Sequence, residues 1–245
     1  MTTTPTIGTA APQTGTLLGV WAHPDDEAFL SAGLMAAATR AGNRVVVATA
    51  TRGELGSPDP VQLPPERLAA LREKELARSL AVVGVREHRW LGHRDGSLER
   101  VRRSAGIDQV SRLIDEVRPD TIVTFGPDGM TGHSDHRTVS SWVTRAWQET
   151  GRVGVLWYAT LTPAFHRTWG ALNDDVGLWY PGHRPPVTEP ADLAAQVLCH
   201  GDLGDLKHAA LRAHSSQTDG LAGRVGERRF RAWWATESFV AAARP

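Results

Sequence analysis

Short apolar and β-branched runs alternate with helix-length segments along the first two-thirds of this chain, and that alternation limits the folds open to it most. Strand-like runs lie at 17–22, 44–50, 87–91, 121–125 and 153–161, the third weaker than the others. Between them run helical patterns at 28–41, 64–83, 107–117 and 137–149. Gly42 and Gly84 stop two of these helices, Pro64 and Pro65 open one, and Pro119 lies just past another. Leu68, Leu71, Leu76 and Leu80 lie near one face of the second.

Strands separated by helices of this length predict a mostly parallel sheet with helices on both faces, an α/β, Rossmann-like class. After residue 162 the pattern loosens into Trp-, Pro- and Gly-containing segments, a helix near 203–213 and an aromatic stretch at 230–239. The expected organisation is a disordered Thr/Pro/Ala-rich tail at 1–14, a catalytic core at 15–162 and a small appended region at 163–245. That last region is expected to pack on the core and contribute to the substrate pocket. The 245 residues suit one large domain.

In an open parallel sheet, ligands bind beyond the carboxyl ends of the strands, where the winding reverses. A 3-2-1-4 strand order makes strands one and four neighbours at that reversal. The loops leaving them carry the richest chemistry in the chain. The first reads Ala22-His23-Pro24-Asp25-Asp26-Glu27 directly after an apolar strand. So many ionisable groups at a strand end are costly unless they hold a metal or move a proton. The second reads Gly126 to His136 and ends His133-Ser134-Asp135-His136, two imidazoles about one helical turn apart.

Each loop alone has an ordinary reading. A lone His-x-x-His is usually surface or capping, and Asp25 or Asp26 would cap a helix with Glu27 in its first turn. Two such loops, each after a strand and in plausible register, favour a site. Cys199 is the only cysteine, so Cys-based zinc and a disulfide framework are excluded. Two histidines and a carboxylate with open positions suit catalytic zinc or ferrous iron, and a further carboxylate supplies a base for water.

These two motifs together resemble the PIG-L/LmbE-like N-deacetylases, metal-dependent hydrolases of N-acetylglucosaminyl conjugates, over roughly 17–217. Thr51-Arg52-Gly53-Glu54, Gly92-His93-Arg94-Asp95-Gly96 and Lys207 with His214-Ser215-Ser216-Gln217 fit the remaining family segments. The resemblance implies metal ligands His23, Asp26 and His136, with zinc as the ion and ferrous iron as the alternative. It implies Asp25 as general base on a metal-bound water, His133 as oxyanion stabiliser or acid, and Asp135 as the group that orients and charges His133. Arg52 and Asp95 are expected to contact sugar hydroxyls, against ordinary readings as a surface ion pair and a turn residue. His214 is assigned to substrate or to holding the C-terminal region. Lys207 reads as helix surface, and His88, His166, His183 and His200 as structural or exposed. Among the late tryptophans, one or two at most are expected to touch substrate, the rest being core.

Several classes fall away. The 27 basic and 27 acidic residues cancel, which disfavours nucleic acid and long polyanions. The arginines of 67–78 are interleaved with acids and read as a solvated helix face. No run approaches the ~20 apolar residues of a membrane span, and the first residues lack the pattern of a secretory signal. A cytoplasmic enzyme on a small amino-sugar conjugate, without stable membrane association, is the expectation; homo-oligomerisation is left open. No Gly-x-Gly-x-x-Gly, Gly-x-Ser-x-Gly or His-Glu-x-x-His is present in the corresponding places. The alternatives that stay open are an amidase on a larger N-acyl or thiol conjugate and a non-hydrolytic, metal-dependent sugar-binding module. The aglycone, whether inositol, malate-type, lipid-linked or an antibiotic scaffold, is not legible.

Overall fold

Strands β1 (Leu17–Trp21), β2 (Val45–Thr49) and β4 (Thr121–Phe125) are buried at every residue, as strands covered on both faces must be. With β3 (Glu87–Trp90) and β5 (Val155–Thr160) they form the parallel part of a seven-stranded sheet, in the order β3-β2-β1-β4-β5, which Thr236–Ala241 (β7) and then Ala195–Leu198 (β6) continue beyond β5. The computed structural model describes residues 12–57 and 59–243. The 3-2-1-4 winding expected from the sequence is present.

Helices α1 (Asp26–Arg40), α2 (Pro65–Val82), α3 (Arg103–Val117) and α4 (Ser134–Glu149) follow the first four strands in turn. α3 packs on α4, while α1 and α2 share contacts with α6 (Gly201–Ala213). The α3 and α4 patterns underestimate their helices, because Arg103 and Ser134 begin turns whose first residues are polar.

Beyond β5 come α5 (Pro163–Val176), β6 (Ala195–Leu198), α6, α7 (Ser215–Val225), α8 (Glu227–Trp233) and β7 (Thr236–Ala241). β7 runs antiparallel beside β5, and β6 antiparallel beside β7, so the C-terminal region extends the same sheet. Its helices carry a second, smaller core around Leu172, Leu211, Phe230, Trp233 and Trp234. The tail expectation for 1–14 falls mostly outside the described residues. Thr14 itself is buried, and its carbonyl accepts from Thr121 Oγ1 at 2.8 Å. Among the described residues, no helix is long and apolar enough to cross a membrane.

Candidate active site

The loops leaving β1, β2, β3 and β4 meet at the carboxyl edge of the sheet around a cavity of about 540 Å³. His23, Asp25 and Asp26 enter it from the first loop, Asp95 from the third, and His133 and His136 from the fourth. The side chains of His23, Asp26 and His136 converge. His23 Nδ1 lies 3.2 Å from His136 Nε2, Asp26 Oδ1 lies 3.4 Å from that same Nε2, and Asp26 Oδ2 lies 3.6 Å from His23 Nδ1. All three residues are buried.

The outer nitrogens settle which atoms carry lone pairs. His136 Nδ1 lies 3.0 Å from the Gly129 carbonyl, an acceptor only, so its proton sits there and Nε2 is bare. His23 Nε2 is flanked by Asp95 Oδ1 at 3.0 Å and Asp135 Oδ2 at 3.4 Å, which favours the proton on that side. Two imidazole lone pairs and a carboxylate then face one another across a gap. A tetrahedral zinc site with bonds of about 2.0–2.2 Å has ligand–ligand edges of about 3.3–3.6 Å. The three separations lie near that range, the two to Asp26 through different carboxylate oxygens, so these residues could hold a divalent cation, and the second nitrogen of His136 is held as ligand imidazoles usually are. Burial opposes charge on His23, but the carboxylates of Asp135 and Asp95 outweigh it and raise the ring to about 10, so a cation held at Nδ1 would have to displace a proton from it. Burial raises Asp26 to about 7 against the pull of His23.

Two further groupings have ligand atoms within 4.8 Å of one another: His23, His133 and His136, and His23, Asp95 and Asp135. In the second, the carboxylates are already engaged. Asp135 accepts from the backbone amides of Gly96 and Leu98, and Asp95 from that of Leu55. They serve better as a scaffold under His23 than as a second ion site.

Asp25 caps α1 with φ of 119°, a conformation that strains a residue with a side chain. Its backbone amide donates to Glu27 Oε2 at 2.9 Å, and its carboxylate lies 3.0 Å from Arg72 Nη2. Burial raises its carboxyl, and the Arg72 guanidinium opposes that rise. Arg72 corrects the sequence reading: it is 3% exposed, not on a solvated face. It also donates to the carbonyls of Gly53 (2.8 Å) and Pro24. A Cβ on Gly53 would collide with the guanidinium, and the residue's φ of 63° favours glycine.

His133 is the N-cap of α4, its Nδ1 accepting the Asp135 amide at 3.0 Å. Nε2 is therefore the protonated nitrogen, a donor on the cavity side. Burial, then the charge of His23, lowers its proton affinity. The Asp135 amide makes the hydrogen bond to this ring, while the carboxylate accepts from the 96–98 backbone, lies 3.4 Å from His23 and raises the proton affinity of His133 through its charge.

Of the three residues expected to contact substrate, Asp95 alone lines the cavity. Arg52 pairs with Glu73 and lies over Trp90, 5.1 Å from the ring centroid, at the surface. Asp95 lines the cavity with Oδ1 3.0 Å from His23 Nε2 and Oδ2 accepting from the Leu55 amide. His214 is fully buried on Glu27, 2.7 Å from Nε2 to Oε1. Lys207, expected at the helix surface, is buried against Glu237.

The His214–Gln217 segment is anchored from below. Glu75 accepts from Ser215 Oγ, the Ser216 amide and Ser216 Oγ, and Gln217 alone of the four lines the cavity. Trp179 and Trp234 are the two tryptophans that reach it. Tyr180, edge-on to His133 at 5.2 Å, is a wall residue that no motif announced.

Residues 18–147 match the family described as PIG-L: GlcNAc-PI de-N-acetylase. The chain is similar to the 1D-myo-inositol 2-acetamido-2-deoxy-alpha-D-glucopyranoside deacetylase of Kineococcus radiotolerans, 37% identical over 53% of this chain and 44% of that one. The protein of the same name from Saccharomonospora viridis is 34% identical over 82% of this chain and 84% of its own length. The probable N-acetyl-alpha-D-glucosaminyl L-malate deacetylase 2 of Bacillus subtilis is 31% identical over 86% and 87%. Among solved structures, N,N'-diacetylchitobiose deacetylase from Pyrococcus horikoshii shares the fold. Its TM-score is 0.66 at 23% identity, over 94% of this chain and 84% of that one.

Proposed function

The chain belongs to the PIG-L family, and on that premise we propose that it removes the N-acetyl group from an N-acetylglucosaminyl conjugate in a metal-dependent hydrolysis. The observation that carries the reading is the facing of His23 Nδ1 and His136 Nε2 at 3.2 Å beside Asp26, with Asp25 left free of the triangle in the same cavity.

His23, Asp26 and His136 would hold the ion, zinc or alternatively ferrous iron. When bound, a divalent cation there supplies Lewis acidity, polarising the acetyl carbonyl and acidifying a water. Asp25 takes a proton from the attacking water, and its raised proton affinity suits it to hold that proton. Arg72 fixes the Asp25 carboxylate and keeps it from drifting into the ligand triangle. His133 directs Nε2–H at the oxygen that becomes negative as water adds. The carbon–nitrogen bond then breaks, the nitrogen takes up a proton from Asp25 or His133, and acetate and a free amine leave. A module that only binds sugar has no use for Asp25 and His133 outside the ligand set.

The test is acetate release from methyl N-acetyl-α-glucosaminide by protein stripped of metal, with and without added zinc or ferrous iron, beside Asp25→Ala. Metal-dependent release that the variant loses is the expected result. No release from this or any aryl or alkyl N-acetylglucosaminide by the metal-loaded protein would defeat the deacetylase reading, and an undiminished Asp25→Ala would remove the base.

A further inference from the structure

Besides the imidazoles and carboxylates, the cavity has an apolar wall made of Phe29 and Leu30 from α1, Leu161 after β5, and Leu178, Trp179 and Trp234 from the C-terminal region. This wall is packed from behind. Trp234 meets Phe29 with ring centroids 4.7 Å apart, and lies in one core cluster with Phe230 and Trp233. Such a surface stands preformed before any ligand arrives, and its burial on binding is favourable only against apolar atoms.

Charge in the cavity narrows the choice. Among the described residues, the only arginine or lysine lining it is Arg72. That guanidinium already serves Asp25 and the carbonyls of Gly53 and Pro24. A dicarboxylate such as malate needs a cation or several donors for each carboxylate it buries. An inositol ring brings a hydroxyl on every carbon that does not carry the sugar, and each one buried without a partner is unfavourable. The apolar wall meets neither demand.

We propose that the amino sugar in this protein's substrate carries an uncharged, apolar aglycone, aromatic or alkyl, seated against Phe29, Leu30, Leu178, Trp179 and Trp234. The proposal rests on the deacetylase reading and deepens it by naming the substrate class. Since the acyl group removed is acetyl, the wall is left to the substituent on the sugar.

The experiment compares kcat/KM of the zinc-loaded protein for phenyl, methyl, myo-inosityl and malyl N-acetyl-α-glucosaminides, and for methyl N-octanoyl-α-glucosaminide. The phenyl glycoside is expected to exceed the inosityl and malyl conjugates by about tenfold or more, the discrimination an apolar site gives for one hydrocarbon group. Trp179→Ala is expected to narrow the phenyl-to-methyl ratio, a comparison within one preparation that loss of folded protein does not move. Equal or better turnover of the inosityl or malyl conjugate overturns the aglycone proposal and leaves the deacetylase standing. A preference for the octanoyl amide over the phenyl acetamide overturns it too, by placing the apolar group on the acyl side. No turnover of any acetamide defeats the underlying reading and the proposal with it.

Discussion

Lys207 Nζ and the Glu237 carboxylate meet 2.5 Å apart in the interior, and both bind the backbone of α1. The ammonium donates to the carbonyls of Ala28 (3.2 Å) and Phe29 (2.8 Å), and the carboxylate accepts from the amides of Gly33 (2.7 Å) and Leu34 (2.8 Å). An ion pair from α6 and β7 is thus inserted beside the helix whose first residue is Asp26. It fixes that helix against the C-terminal region.

Removing one partner strands the other. Lys207→Met is expected to lower the unfolding free energy by about 3–5 kcal/mol, because it leaves the Glu237 charge buried and uncompensated. Urea denaturation followed by circular dichroism checks it. A loss below about 1 kcal/mol would show that the α1 amides alone satisfy the carboxylate.

Most of the sheet was legible in the sequence, because β1, β2 and β4 are apolar on both faces and need no partner pattern to be seen. β6 and β7 were not, since one is four residues long and the other buries Glu237. The convergence of His23, Asp26 and His136 was legible too, through carboxylates and imidazoles at strand ends where packing alone has no use for them. Charged residues buried as counterparts were misread for a common reason: Arg72 and Lys207 lie on helices, where charge ordinarily means solvent. A signal did exist for Arg72. It shares a helix face with Leu68, Glu75, Leu76 and Ser79, all buried, so one arginine of the 67–78 run falls on the inward stripe.

Asp95 is expected to act through His23. Asp95→Asn keeps the shape and removes the charge at 3.0 Å from Nε2. Zinc affinity measured by chelator competition is expected to fall about 10–100-fold, the usual effect of losing a partner behind a ligand. His136→Ala removes one of the three residues proposed to hold the ion and is expected to lose stoichiometric zinc. Unchanged affinity in Asp95→Asn would show that Asp135 alone holds the ring.

Arg72→Lys preserves charge but not the fork that reaches two carbonyls and Asp25 at once. We expect kcat to fall about a hundredfold, the scale of a misplaced catalytic group, with zinc content retained. A change confined to KM would place Arg72 in substrate binding instead of in the positioning of Asp25.

His88 makes the fold sensitive to acid. The ring lies on β3, 3.0 Å from Thr49 Oγ1 and 4.5 Å between centroids from Trp90, and burial pushes it from the ordinary 6.5 down to about 4. Above pH 6.5 the ring is neutral in both folded and unfolded chains and contributes nothing to pH dependence. As pH falls from 6.5 towards 4, the unfolded chain binds a proton that the folded one refuses, so stability is lost across that window. The difference corresponds to at most about 3 kcal/mol, and partial exposure brings it to roughly 1–2 kcal/mol. His88→Phe keeps a ring and removes the titration. The stability difference between variant and parent is expected to move in the variant's favour by roughly 1 kcal/mol between pH 7.5 and pH 5. Every other ionisable group is common to both proteins, so this difference isolates His88. A difference that stays constant with pH would show that the ring titrates alike in the folded and unfolded chains.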